Sequence, residues 1–231
     1  TTDSAVWRIP LRLARGERQD TVLLDAAQGR FSLPGCSAEP LVANAGGRGF
    51  YRVRYDAAQT QALIKALPRL SAADRTVLLA DSYALLQAGF KPLAEHLTLM
   101  GELPKVGDAG RAPLYATAAT QLRALDGVLH GTPAQATLRD AAQRLLAPEL
   151  QSLGWQPAAN EDAERVRLRP ALIETLAALG DAAVVQAAKE RFEAALRSDV
   201  ARVHPTVRAA VLRAAAQTAE PAVFDALWQA L

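Results

Sequence analysis

Three histidines, one cysteine and a few acidic pairs are the side chains that could do chemistry in this 231-residue sequence. Zinc hydrolysis needs two histidines one helical turn apart, or an equivalent cluster of ligands. His96, His130 and His204 are widely separated, and their spacing predicts solvated or capping imidazoles. Cys36 sits in Pro34-Gly35-Cys36-Ser37, a turn signal with no base beside it, and reads as an inert thiol. A single cysteine also excludes an intrachain disulfide. Glu161-Asp162 and the pair Glu190 and Glu193 lack the geometry of a general acid and base. They read as charges that favour the first turns or exposed faces of helices. Gly46-Gly47-Arg48-Gly49 leads into an alternating segment rather than a helix and lacks the Lys-Ser/Thr of a phosphate loop. It reads as a turn whose glycines take positive φ. No catalytic residue and no metal ligand is expected within this chain.

The elements that carry these residues fall into two regions. Alanine occurs 7 times in residues 1–56 and 43 times in residues 57–231. Alanine is the strongest helix former and is depleted in strands, so this contrast places a β region at 1–56 and a helical region at 57–231. In the first region, Trp7, Ile9, Leu11 and Leu13 alternate with Arg8, Pro10 and Arg12, the period of a strand with one buried face. Pro10 cannot donate to a ladder and predicts an edge strand or a bulge. Short strands are expected at Val22–Leu24, Phe31–Leu33 and Leu41–Ala43. A last one, Phe50–Tyr55, would form a hairpin with Leu41–Ala43 around Gly46-Gly47. Arg52 and Arg54 share a face of that strand, where they either pair with carboxylates between the domains or face solvent. Short strands with frequent turns predict a small β-sandwich.

The second region reads as consecutive helices. Asp56 caps a helix reaching Leu67, with Leu63, Ile64 and Leu67 on its inner stripe. Ser71 and Asp74 resemble a capping box with Asp in place of Glu or Gln, opening a helix to Ala88 that stops at Gly89. Further helices are predicted at 92–100, 112–126, 133–153, 161–179, 181–197, 205–217 and 221–231. Thr132-Pro133, Pro205 and Pro221 mark starts, and Gly180 marks a stop. Many short amphipathic helices with short links predict a HEAT- or armadillo-like superhelix. The predicted fold class is therefore mainly α, with a small N-terminal β-sandwich portion.

Composition adds little about partners. The formal charge of +2 and the absence of a basic run argue against nucleic acid. No apolar run reaches the roughly 18–20 residues of a membrane span. The compartment stays open.

The segment Asn44-Ala45-Gly46-Gly47-Arg48-Gly49-Phe50-Tyr51-Arg52-Val53-Arg54-Tyr55-Asp56 resembles a signature of the M1 family of zinc aminopeptidases. That signature lies where a small β-sandwich domain meets a helical C-terminal domain. Trp7 to Leu11, Asp74-Arg75 with Asp81, Leu85, Ala88 and Gly89, and then Leu153-Gly154-Trp155, Leu168-Arg169 and Gly180-Asp181 continue the likeness in order. Ala188, Phe192 and Pro205 to Arg208 extend it. Ala45 and Arg54 depart from the family's valine and asparagine. The family's His-Glu-x-x-His and Gly-Ala-Met-Glu-Asn segments are absent, and Met100 is followed by Gly101-Glu102.

The resemblance implies a non-catalytic C-terminal portion of such an enzyme, lacking the first strands of its sandwich and the end of its helical domain. It implies structural and interdomain roles for Asn44, Gly46, Gly47, Gly49, Phe50, Tyr51, Arg52, Tyr55, Asp56, Asp74, Arg75 and Asp81. Zinc is expected in the parent's catalytic domain. That domain would be the partner, with peptide substrate met only indirectly, and the piece would shape and gate access to the active site. An incomplete sandwich also predicts dimers through an unpaired strand edge. The rival reading is a free-standing helical-repeat scaffold that binds another protein.

Overall fold

The computed structural model describes residues 6–35, 37–198, 203–217 and 221. Cys36 and the predicted helix 221–231, apart from Pro221, lie outside the described residues. Contacts divide the chain into two compact units, Thr1–Leu114 and Tyr115–Leu231.

The first unit begins with β1 (Ile9–Arg15), β2 (Arg18–Leu24) and β3 (Leu41–Ala43), an antiparallel sheet in the order β2-β1-β3. Leu13 is buried, Ile9 and Leu11 are half-buried, and Trp7 is exposed ahead of the strand. β3 pairs only with Leu13–Arg15, so the Pro10 end of β1 has a partner strand on one side alone, which is how a residue without an N–H is accommodated.

Two predicted strands are absent. Phe31–Leu33 is irregular, and Phe50–Tyr55 enters no ladder. There is no hairpin at Gly46-Gly47 but a single 3-10 turn, Ala45–Gly47. The reason is local. The Tyr55 hydroxyl accepts from Ala43 N at 2.9 Å and donates to Ala43 O at 3.2 Å, occupying the groups that a hairpin partner would use. Of the small β-sandwich portion that the sequence predicts, a single three-stranded sheet is formed among the described residues.

Helices α1 (Ala57–Ala66), α2 (Ala72–Gln87) and α3 (Leu93–Met100) complete the first unit. Asp56 caps α1 by accepting from Gln59 N at 2.8 Å. Ser71 Oγ caps α2 by accepting from Asp74 N at 3.1 Å. The second half of the expected capping box is not made, because the Asp74 carboxylate is used elsewhere. Gly89 ends α2 at φ +75°, the left-handed stop expected. Val42, Ala45 and Leu63 form a small core joined by Ala14, Tyr55, Leu70 and Leu78.

Helix α4 (Arg111–Val128) begins in the first unit and runs into the second, followed by α5 (Pro133–Leu153), α6 (Ala163–Ala178), α7 (Ala182–Ser198) and α8 (Pro205–Ala216). These bounds lie within two residues of the predicted ones because caps and stops are local signals. Thr132 precedes α5, yet its hydroxyl donates to Leu129 O rather than capping. The inner stripes include Leu172, Leu176 and Leu179, then Val184, Ala188 and Phe192. α6 packs on α5, α7 and α8, and α7 packs on α8. The chain is mainly helical. No single described helix is long and apolar enough to cross a membrane.

Arg169 is fully buried in α6. It donates to Gly154 O and Leu153 O, both at 2.9 Å, and to both oxygens of Glu161 at 2.9 and 2.8 Å. It thereby satisfies carbonyls at the end of α5 and ties them to the start of α6. Glu161 is thus a partner of a buried cation rather than a simple first-turn charge, while Asp162 caps α6. Removing one member of a buried pair strands the other. Arg169→Ala is expected to lower the stability of the second unit by about 3–5 kcal/mol, read as a reduced urea midpoint by Trp155 fluorescence. An unchanged midpoint would show that the cluster holds nothing together.

Candidate functional site

The family-motif residues converge on one feature of the first unit, the passage of residues 44–56 along α2. Asn44 is buried and takes left-handed backbone angles, φ 66° and ψ 40°. Its side chain closes the loop at both ends: Nδ2 donates to Gly49 O at 3.0 Å and Oδ1 accepts from Gly49 N at 2.6 Å. Gly46 and Gly47 follow at φ +73° and +67°. A β-carbon on Gly47 would stand 2.8 Å from Val77 Cγ2, and one on Gly49 would stand 2.0 Å from the Tyr51 ring. Glycine at 49 is therefore required by space.

Two carboxylates of α2 grip the loop. Asp74 Oδ1 accepts from Gly46 N at 2.7 Å, and Oδ2 accepts from Ser71 Oγ at 2.6 Å. Asp81 is buried; it accepts from Arg52 Nη1 at 2.8 Å and Val53 N at 3.0 Å. Arg75 serves carbonyls instead, donating to Leu67 O, Pro68 O and Ala109 O at 2.8–3.1 Å. It joins the start of the Leu67–Arg69 turn to the approach to α4.

The two arginines left open by the sequence now separate. Arg52 pairs with Asp81 inside the first unit, and Arg54 stacks 5.3 Å from the centroid of the Phe90 ring. Phe50 is fully exposed. Tyr51 turns inward and its hydroxyl accepts from Arg12 N at 3.3 Å. Gln59, which no motif flagged, accepts from Leu41 N at 3.3 Å and with Tyr55 closes the outer edge of β3. A glutamine one turn into a helix carries no sequence signal for that role. Ala45 is buried in the small core and Arg54 is exposed, so the first departure from the family pattern falls in packing and the second in solvent.

Asn44, Tyr55, Asp74, Arg75 and Asp81 thus position backbone. Among the described residues no three His, Cys, Asp or Glu side chains gather as a metal-holding group. The histidines are engaged separately. His96 is fully buried, not solvated, with Nδ1 2.9 Å from Ser82 Oγ. His130 is exposed, and His204 caps α8 through Thr206 N. This donor set does not fit zinc, which wants three or four convergent ligands.

A family model described as ERAP1-like C-terminal domain matches residues 41–231. The chain is similar to Aminopeptidase M1-A of Oryza sativa subsp. japonica, 30% identical over 224 residues, which cover 92% of this chain and 25% of that protein. It is similar to Aminopeptidase 2 of Candida albicans, 25% identical over 231 residues, covering 98% and 25%. It is also similar to Aminopeptidase M1 of Arabidopsis thaliana, 28% identical over 238 residues, covering 92% and 26%. The chain spans about a quarter of the length of the curated relatives it matches.

The Tyr55 hydroxyl yields a pH test of its bonds to Ala43. Burial, aided by Asp81 and Asp74, pushes its pKa up from 10.0 to about 12 against the opposing Ala43 hydrogen bond. The folded chain thus keeps a proton that the unfolded chain releases above pH 10. That stabilisation is complete below the unfolded value and is lost as pH rises towards the folded value. Stability is expected to fall between pH 10 and 12 by up to about 1.4 kcal/mol per pH unit. Urea unfolding across that window checks it: Tyr55→Phe should flatten the slope, and an identical slope in both proteins would refute the assignment.

Proposed function

The chain belongs to the family of ERAP1-like C-terminal domains, and from that premise we propose that it is the non-catalytic C-terminal portion of an M1-type zinc aminopeptidase. The observation that carries this reading is the family match over residues 41–231, together with a motif in which Asn44, Tyr55, Asp74 and Asp81 hold backbone. Zinc belongs in this proposal to the parent's catalytic domain, where it would activate water for removal of N-terminal residues from peptides. This chain supplies no ligand to it. Its role is shape: a wall that limits which peptides reach the active site.

The proposed domain division falls at Asp56, with the end of a β-sandwich domain before it and a helical domain after it. The packing of α6 on both α7 and α8 supports a HEAT- or armadillo-like superhelix, since contacts between next-but-one helices mark stacked pairs. The 231-residue chain alone is expected to bind no stoichiometric zinc and to hydrolyse no aminoacyl anilide. Within the full polypeptide, removal of residues 57–231 should raise cleavage of bulky peptides relative to short ones. Turnover by the purified chain, or an unaltered size preference after the deletion, would defeat the reading.

The proposal extends to self-association. β3 has its outer edge covered by Tyr55 and Gln59, whereas β2 pairs only with β1 among the described residues. An uncovered edge recruits strands. The isolated chain is expected to form dimers through β2 at high concentration, seen as a mass increase in light scattering. A monomer throughout a dilution series would rule that out.

A further inference from the structure

We infer that Phe50–Tyr55 is a docking edge which takes an extended acidic strand from the zinc-bearing part of the same polypeptide, an inference that rests on the enzyme reading above. The segment has the side-chain period of a strand. Tyr51, Val53 and Tyr55 are half-buried, and Phe50, Arg52 and Arg54 are exposed between them. One lateral side is satisfied, because Val53 N donates to Asp81. In extended chain successive amides point to opposite sides, which would turn the N–H groups of Arg52 and Arg54 away from Asp81. Among the described residues neither has a protein partner. The segment enters no ladder, and an added strand would supply one.

Its outward chemistry selects the occupant. Among the described residues Arg54 has no carboxylate partner, and Arg52, paired with the buried Asp81, keeps most of its side chain exposed two residues away. Asp81 is taken by Arg52 and Val53, and Asp56 by the start of α1. An incoming strand with alternating Asp or Glu would place carboxylates opposite Arg52 and Arg54. Phe50 supplies an aromatic anchor at one end, next in sequence to the Asn44–Gly49 bonds and exposed in full. Rigid exposed aromatics bind with little ordering cost. Beside it a hollow of about 290 Å³, lined in part by Arg52, Val77 and Ala80, can receive an apolar side chain of the partner. A second copy of this chain is a poorer occupant. The free edge of β2 offers one acid, Asp20, and it is paired with Arg18.

Amide-resolved hydrogen exchange on the full polypeptide that carries this chain tests the inference. The Arg52 and Arg54 amides should exchange roughly 100-fold more slowly there than in the 231-residue chain alone. Arg54→Glu should remove that protection and Arg54→Lys should keep it; among the described residues the Arg54 side chain meets just the Phe90 ring outside its own segment, so both variants are expected to fold. Fast exchange of both amides in a polypeptide with zinc-dependent aminopeptidase activity overturns the docking edge while leaving the enzyme reading intact. Protection indifferent to the charge at position 54 overturns the acidic occupant. Protection that appears in the isolated chain as its concentration rises assigns the edge to a second copy and overturns the proposal. A full polypeptide without that activity removes the enzyme reading, and the named occupant with it.

Discussion

Asp74 and Asp81 stand seven residues apart on α2, two helical turns, so both carboxylates project from one face about 10 Å from each other. Gly46 and Val53, whose amides they accept, are likewise seven residues apart in a chain running the same way. The helix therefore acts as a ruler for the loop. Charge-assisted bonds of this kind contribute roughly 1.5–3 kcal/mol each, and here they replace the ladder that a strand would otherwise need. Removing the ruler would leave the three glycines and the segment after them to the Asn44–Gly49, Tyr51–Arg12 and Tyr55–Ala43 bonds alone.

The consequences spread along the sequence. With the loop set against α2, Tyr55 reaches back to Ala43 and closes one edge of the sheet. Asp56 then starts α1, and Gln59 in its first turn completes the same edge. The sheet, the loop and α1 meet in the small core of Val42, Ala45 and Leu63. The second unit uses a different device for the same need: Arg169, a buried cation, collects the last carbonyls of α5 and the acid that precedes α6. In both units a charged side chain within a helix satisfies backbone where regular structure stops, because unpaired buried backbone groups are costly.

Much of the helical architecture was legible beforehand. Asp56, Ser71, Pro133, Pro205, Gly89 and Gly180 act through contacts within a few residues, so their meaning travels with the sequence. The strands at 31–33 and 50–55 were misread for a physical reason. Alternation reports which side chains face inward, and Tyr51, Val53 and Tyr55 do face inward. It does not report whether a neighbouring strand exists to bond the backbone. His96 was misread because nothing local distinguishes a buried histidine bonded to Ser82 from a solvated one.

The sequence by itself determined where helices begin and end, that the family likeness centres on residues 44–56, and that the histidines are too scattered to resemble a zinc motif. Each of these depends on residue type and short spacing. Only the tertiary structure decided that Asp81 reaches 28 residues back to Val53 and Asp74 reaches 28 back to Gly46. It alone decided that Tyr55 stands in for a strand and that Glu161 belongs to Arg169. These pairings depend on how helices and loop lie in space, and charge, hydrogen bonding and burial act through distance in the folded molecule, whatever the separation along the chain.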